Sequence, residues 1–445
     1  MAQRNKPELL APAGDLERLR AALDYGADAV YLGRESFSMR AAASNFHSAE
    51  QLHEAVTLAH QYGKKVYLTC NTLPRNEEIP MFPQFLQEAQ DAGADALILA
   101  DLGLLAMARK LAPDMEIHMS TQTGIVNYST CRALYDMGVK RAVLARELSL
   151  EEIAGIRAKI PAEMELEVFV HGAMCMSYSG RCLISNFLAD RSANQGKCAH
   201  CCRWHYRLHV RLKDGTVRDL NITPENRGMF EFLVKEDFRP GELYEIIEDE
   251  HGAYIMNSKD LRAIAHVERL TQMGVHSLKI EGRTKSFYYC ARTAQVYRKA
   301  IDDAAAGKPF DTSLLETLEG LAHRGYTEGF LRRHTHDDYQ NYEYGYSVSE
   351  RQQFVGEFTG ERNGPLAAVA VKNKFSVGDS LELMTPQGNV NFTLEHMENG
   401  KGETMPVAPG DGYTVWLPVP DDLPLQYALL MRNFTGQTTR NPHGN

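Results

Sequence analysis

Eight short apolar runs, each closed by small or polar residues, constrain this chain more than any other feature of it. They are Glu8–Ala11, Ala29–Leu32, Lys65–Thr69, Ala96–Ala100, Glu116–Met119, Arg141–Ala145, Glu165–Val170 and Ser277–Ile280. Short runs with little alternation suit strands covered on both faces, as in a parallel sheet. Helical stretches lie between them, and the helix-to-strand junctions repeat. Gly26-Ala27-Asp28-Ala29-Val30 resembles Gly93-Ala94-Asp95-Ala96-Leu97, and Gly138-Val139-Lys140 and Gly274-Val275-His276 follow the same plan. Each glycine can take the left-handed conformation that ends a helix. Eight repeated βα units predict an α/β fold, a (β/α)8 TIM-like barrel; a doubly wound sheet is the alternative.

The barrel accounts for residues 1–310 of the 445, with an insertion after strand seven at about 175–260. Residues 311–349 read as a connector, Gly/Tyr/His-rich over 320–346. From about 350 short β runs broken by Gly and Pro predict a small all-β barrel domain, 350–445. No apolar run reaches the ~18 residues of a membrane span. The opening Met1-Ala2-Gln3-Arg4-Asn5-Lys6-Pro7 has no secretion signal, which predicts a cytoplasmic protein without a membrane partner. A net charge of −10 argues against bulk electrostatic coating of nucleic acid but leaves room for a local basic surface.

Barrel sites lie at the carboxyl ends of the strands. Those ends here include Gly33-Arg34-Glu35, Cys70-Asn71-Thr72, Ser120-Thr121-Gln122, Arg146-Glu147, His171-Gly172 and Glu281-Gly282-Arg283. The insertion adds Cys175, Cys182, Cys198, Cys201 and Cys202, five of the eight cysteines. In a reducing compartment such clustering points to metal or redox chemistry rather than disulfides. Thiolates are soft ligands for zinc or an iron–sulfur cluster. Structural zinc sites use two close pairs, and the gap between Cys175 and Cys182 is wide for that. The spacing therefore favours iron–sulfur, with zinc or no metal left open.

At these residues the chain resembles the collagenase-like peptidase family. The likeness is carried by Glu167-x-Phe169-x-x-Gly172-Ala173-Met174-Cys175, by Gly180-x-Cys182-x-Ile184-Ser185 and by Arg191-Ser192-Ala193-Asn194-Gln195-Gly196-Lys197-Cys198. Glu8-Leu9-Leu10-Ala11-Pro12-Ala13-Gly14 and Lys279-Ile280-Glu281-Gly282-Arg283 extend it along the barrel. The family includes oxygen-independent hydroxylases, and in length and C-terminal domain the chain looks most like the branch acting on tRNA. The resemblance implies conversion of wobble uridine to 5-hydroxyuridine, with prephenate, a small dicarboxylate, as oxygen donor. It implies a 4Fe-4S cluster on Cys175, Cys182, Cys198 and Cys202, although the adjacent Cys201 leaves the fourth ligand open. The other branches keep ribosomal RNA, a quinone precursor and peptide hydrolysis as alternatives, beside a cluster-bearing accessory protein without turnover.

The residues weigh against proteolysis. His-Glu-x-x-His and Gly-x-Ser-x-Gly are absent, and a nucleophilic thiol paired with His171 or His200 needs no further cysteines at fixed intervals. For hydroxylation, Glu147, Glu281 and His171 are candidate proton carriers. Arg34, Arg40, Arg146, Arg181 and Arg283 are candidates for holding an anionic co-substrate. Trp204 and Arg207, in a stretch that alternates basic and aromatic residues, are candidate RNA contacts. The electron donor is not legible.

Overall fold

The computed structural model describes residues 6–34, 36–39, 46–175, 177–204, 258–332, 349 and 351–434 apart from 421, 422 and 424. It adds the backbone of short strands between 209 and 253. Seven parallel strands run in order: β1 (Glu8–Pro12), β2 (Ala29–Gly33), β3 (Lys65–Cys70), β4 (Ala96–Leu99), β5 (Glu116–Met119), β6 (Arg141–Val143) and β7 (Glu165–Ala173). After the insertion, β8 (Asp260–Arg262) pairs antiparallel with the far end of β7. Strand β9 (Ser277–Ile280) then pairs in parallel with both β7 and β1. That double pairing closes the ring, so the (β/α)8 barrel holds and the open doubly wound sheet does not.

Six helices follow the first six strands: α1 (Leu16–Asp24), α2 (Ala49–Gln61), α3 (Phe82–Asp91), α4 (Leu102–Leu111), α5 (Tyr128–Asp136) and α6 (Leu150–Arg157). A short α7 (Ile184–Ala189) lies in the cysteine loop, and α8 (Val267–Gln272) leads into β9. The long α9 (Phe287–Ala305) completes the ring, and α10 (Ser313–Glu319) follows it. The junction glycines Gly26, Gly93, Gly138 and Gly274 all take positive φ, from 76° to 104°. Asp15 and Asp101, both at strand ends, cap α1 and α4 by accepting from the amides of Arg18 and Leu104, which satisfies otherwise orphaned donors.

Apolar side chains fill the space between strands and helices. Inside the ring, however, the strand starts carry a buried ion network. Arg141 Nη1 donates to Glu8 Oε1 at 2.6 Å, its Nε to Glu165 Oε2 at 2.8 Å, and Lys279 Nζ to Glu167 Oε1 at 2.8 Å. Burial alone raises the Glu167 carboxyl, but Lys279 and Arg141 outweigh it and hold the group below its usual value. Such a network is stable only with its partners intact.

The C-terminal region is a seven-stranded antiparallel sheet built around Gln352–Asn363, Leu366–Val371, Ser380–Thr385 and Leu429–Asn433. It docks on α9. Arg292 donates to both carboxylate oxygens of Glu382, at 3.2 and 2.6 Å, and Phe354 stacks on Tyr288 at 5.7 Å between ring centroids. Among the described residues, no helix is long and apolar enough to cross a membrane.

Candidate functional site

The five cysteines of the loop line one open cavity at the carboxyl end of the barrel. Asn71, Gln122, Arg146, Glu147, Glu281 and Arg283, from the ends of β3, β5, β6 and β9, share its wall. The loop is folded tightly over this mouth. Cys175 follows β7 directly, with its sulfur 2.9 Å from Ser177 Oγ, and the Cys182 amide donates to Asn194 Oδ1 at 3.1 Å. The His200 amide donates to Cys198 Sγ at 3.4 Å. Gly196 turns at φ 80°, and a Cβ there would stand 2.4 Å from the Ser38 carbonyl, so only glycine lets the loop pass so close to the barrel.

Burial raises the Cys202 thiol; Arg203 opposes this, while Cys175, Cys198 and Cys182 push it further up. All three of those cysteines therefore lie within electrostatic reach of Cys202. Among the described residues, no three His, Cys, Asp or Glu side chains stand close enough to share a single metal ion, so the thiols surround the cavity rather than meet at a point. Cys70, Cys131 and Cys290 are buried and are not among the residues that line this cavity.

The remaining candidates divide. Arg146 lies over the Phe169 ring at 3.9 Å, donates to the Ala173 carbonyl at 2.8 Å and stands 3.7 Å from Glu281. Glu281 also accepts from the Tyr31 hydroxyl at 3.4 Å. Arg283 is buried, donating to Ser38 and Thr69 hydroxyls at 2.8 and 2.9 Å. It fits because Gly33 has no side chain: a Cβ there would sit 2.3 Å from the guanidinium. Glu147 accepts from the Ser179 amide and hydroxyl and so holds the cysteine loop.

Four candidates do not line the cavity. Arg34 pairs with Glu88 of α3. Arg181 Nε donates to the Gln122 carbonyl at 2.6 Å, and Trp204 Nε1 to the Ala199 carbonyl at 3.2 Å, each bracing the loop. His171 lies behind the wall among Tyr289, Tyr297 and Tyr326, with Nδ1 3.3 Å from the Tyr297 hydroxyl. Burial, followed by the charges of Arg262, Lys285 and His323, lowers its pKa to about 3, so it is neutral at ordinary pH. The reason is a bulge. Lys279 pairs with Phe169 but Ile280 with His171, so Val170 is the extra residue. One extra residue resets the alternation of faces, and His171 turns away from the side that Phe169 occupies. Arg40 and Arg207 lie outside the described residues.

Sequence reasoning missed four cavity residues: Lys279, Lys285, Arg203 and Arg324. Lys279 carried a signal, a lone charge within an apolar strand run. Arg203 opens the basic and aromatic stretch that reads as an RNA contact, not as a cavity wall, and Lys285 and Arg324 carried no signal, because they converge from distant parts of the chain.

The model of peptidase family U32 matches residues 14–341, and that of the U32 C-terminal domain matches 350–432. The chain belongs to peptidase family U32. Within the family it is 63% identical to a tRNA hydroxylation protein P of Escherichia coli K12 over 99% of both chains. It is 54% identical to the protein of that name from Haemophilus influenzae over the full length of both. A more distant U32 relative is the E. coli 23S rRNA 5-hydroxycytidine C2501 synthase, 31% identical over 94% of this chain and 57% of the relative.

Proposed function

We propose that this U32 protein is an oxygen-independent tRNA hydroxylase that converts wobble uridine to 5-hydroxyuridine. Cys175, Cys182, Cys198 and Cys202 would hold a 4Fe-4S cluster, and a small dicarboxylate, prephenate, would donate the oxygen. The observation that carries the reading is the gathering of all five loop cysteines with strand-end cations in one cavity at the barrel mouth. Near-full-length likeness to proteins named for tRNA hydroxylation supports the reaction class.

The donor set fits such a cluster. Four soft thiols from one loop surround a cavity, and the Cys198 sulfur already accepts a backbone amide, the kind of bond that tunes a cluster's electronics. When bound, the group would supply the electron transfer that side chains cannot. The chain's own residues do the rest. Glu147 locks the loop, which leaves Glu281 as the cavity carboxylate to take the proton released from the base. Arg146 positions Glu281 and is itself fixed by the Phe169 face. The loop also presents Phe187 (88% exposed) and Leu183 (76% exposed) beside Arg181 and Arg191. Apolar side chains so open to water beside cations suit stacking against the bases of an RNA loop.

The test is anaerobic incubation of cluster-loaded protein with an anticodon stem-loop and prephenate. A gain of one oxygen mass on the wobble uridine is expected. No gain on tRNA, with a gain on a ribosomal RNA fragment, would move the substrate to the other branch of the family; no gain on either would leave an accessory protein.

A further inference from the structure

We propose that Arg203, Lys285 and Arg324 form an oxyanion subsite beside Cys202 that takes one carboxylate of a small dicarboxylate. The proposal rests on the hydroxylase reading for the ligand's role, but the chemistry of the subsite stands on its own. Six cationic side chains line the cavity against the two carboxylates Glu147 and Glu281, in a chain whose net charge is −10. Three of the six belong to the barrel strands and their ends: Arg146 pairs with Glu281, Lys279 with Glu167, and Arg283 donates to the hydroxyls of Ser38 and Thr69.

The other three arrive from separate segments. Arg203 ends the cysteine loop and donates to the Met174 carbonyl at 3.2 Å. Lys285 follows β9 and lies over the Tyr289 ring at 5.6 Å. Arg324 follows α10; it is anchored by Asp260 and by the Ser258 carbonyl and is 4% exposed. The group is crowded. Burial lowers the Lys285 ammonium; Asp260 opposes this, and Arg324 and Arg203 lower it further. Burial lowers the Arg324 guanidinium as well; Asp260 opposes this and Arg203 lowers it further. Asp260 balances one of the three charges, and an oxyanion would balance what remains. Guanidinium forks match carboxylate geometry. The depth of Arg324 favours a small molecule over a sugar–phosphate backbone. The three cations share the cavity wall with Cys202, which would bring the ligand to the thiols.

Isothermal titration of the full chain, cluster-free and cluster-loaded, tests this with prephenate, with phenylpyruvate as a monocarboxylate and with inorganic phosphate. Binding of an anticodon stem-loop is measured separately. Prephenate should bind best. Lys285→Met and Arg203→Gln should each weaken it about tenfold, the loss of one charge-assisted contact, and leave RNA affinity unchanged. Unchanged prephenate affinity in both variants overturns the proposal. So does a loss of RNA affinity with prephenate binding intact, which would assign the three cations to a phosphate. Prephenate binding without oxygen transfer to tRNA would keep the subsite and remove the hydroxylase reading.

Discussion

Glu147 and Ser179 join the barrel rim to the cysteine loop through two hydrogen bonds on one carboxylate, 2.5 Å from the serine amide and 2.6 Å from its hydroxyl. Ser179 sits midway between Cys175 and Cys182 and holds a left-handed φ of 45°. A non-glycine residue stays there only where its surroundings insist on it. Glu147 thus acts through the loop as a positioning residue. Glu147→Gln should remove charge-assisted bonding worth about 2 kcal/mol and lower the iron and sulfide retained after anaerobic reconstitution. Ser179→Gly keeps the amide and relieves the backbone, so it should retain iron near the parent level. Full iron in Glu147→Gln would show that the carboxylate does not set the loop.

The adjacent cysteines can be told apart. Cys202 feels Cys175, Cys198 and Cys182 together and is partly exposed, whereas Cys201 feels Cys198 and Cys182 and is only 1% exposed. Cys202→Ser should lose the brown colour and most bound iron, and Cys201→Ser should keep both. The reverse pattern would transfer the fourth ligand position to Cys201.

The neutral, buried His171 makes a pH prediction of its own. Its folded pKa of about 3 lies below the ordinary 6.5, so the unfolded chain binds the proton more readily. This group's contribution is complete above pH 6.5 and declines as pH falls toward about 3, by up to ~1.4 kcal/mol per unit. His171→Phe removes the titration while Tyr297 keeps its bond to the Val170 carbonyl at 2.7 Å. Denaturant melts between pH 7 and pH 4 should therefore show a shallower loss of stability in the variant. Parallel curves would mean that His171 takes up its proton without unfolding.

How much was legible in the sequence follows from what each signal depends on. The strands were readable because burial on both faces leaves unbroken apolar runs. The junctions were readable because Gly26, Gly93, Gly138 and Gly274 mark left-handed helix ends. The cysteine loop was readable from composition alone. The direction of His171 was not, since it depends on a bulge that only pairing with β9 creates. Arg34 reads as a rim cation until the fold brings Glu88 of α3 against it. The convergence of Arg203, Lys285 and Arg324 is a property of the closed barrel and of the chain returning after α10, and neither leaves a local mark.

The docking of the C-terminal sheet rests on a buried charge pair. Arg292 and Glu382 form a bidentate contact, and Gln352 Nε2 also donates to the same carboxylate. Burial lowers the arginine's pKa, but Tyr288 and Glu382 more than offset it, so the guanidinium stays charged. Removing one partner leaves the other buried and uncompensated, at a cost of about 3 kcal/mol. Glu382→Leu should therefore lower the urea midpoint strongly. Arg292→Met combined with Glu382→Leu should recover much of the loss, because no isolated charge remains and Phe354 still packs on Tyr288 and Phe287. A double variant as unstable as Glu382→Leu alone would place the cost in packing rather than in the stranded charge.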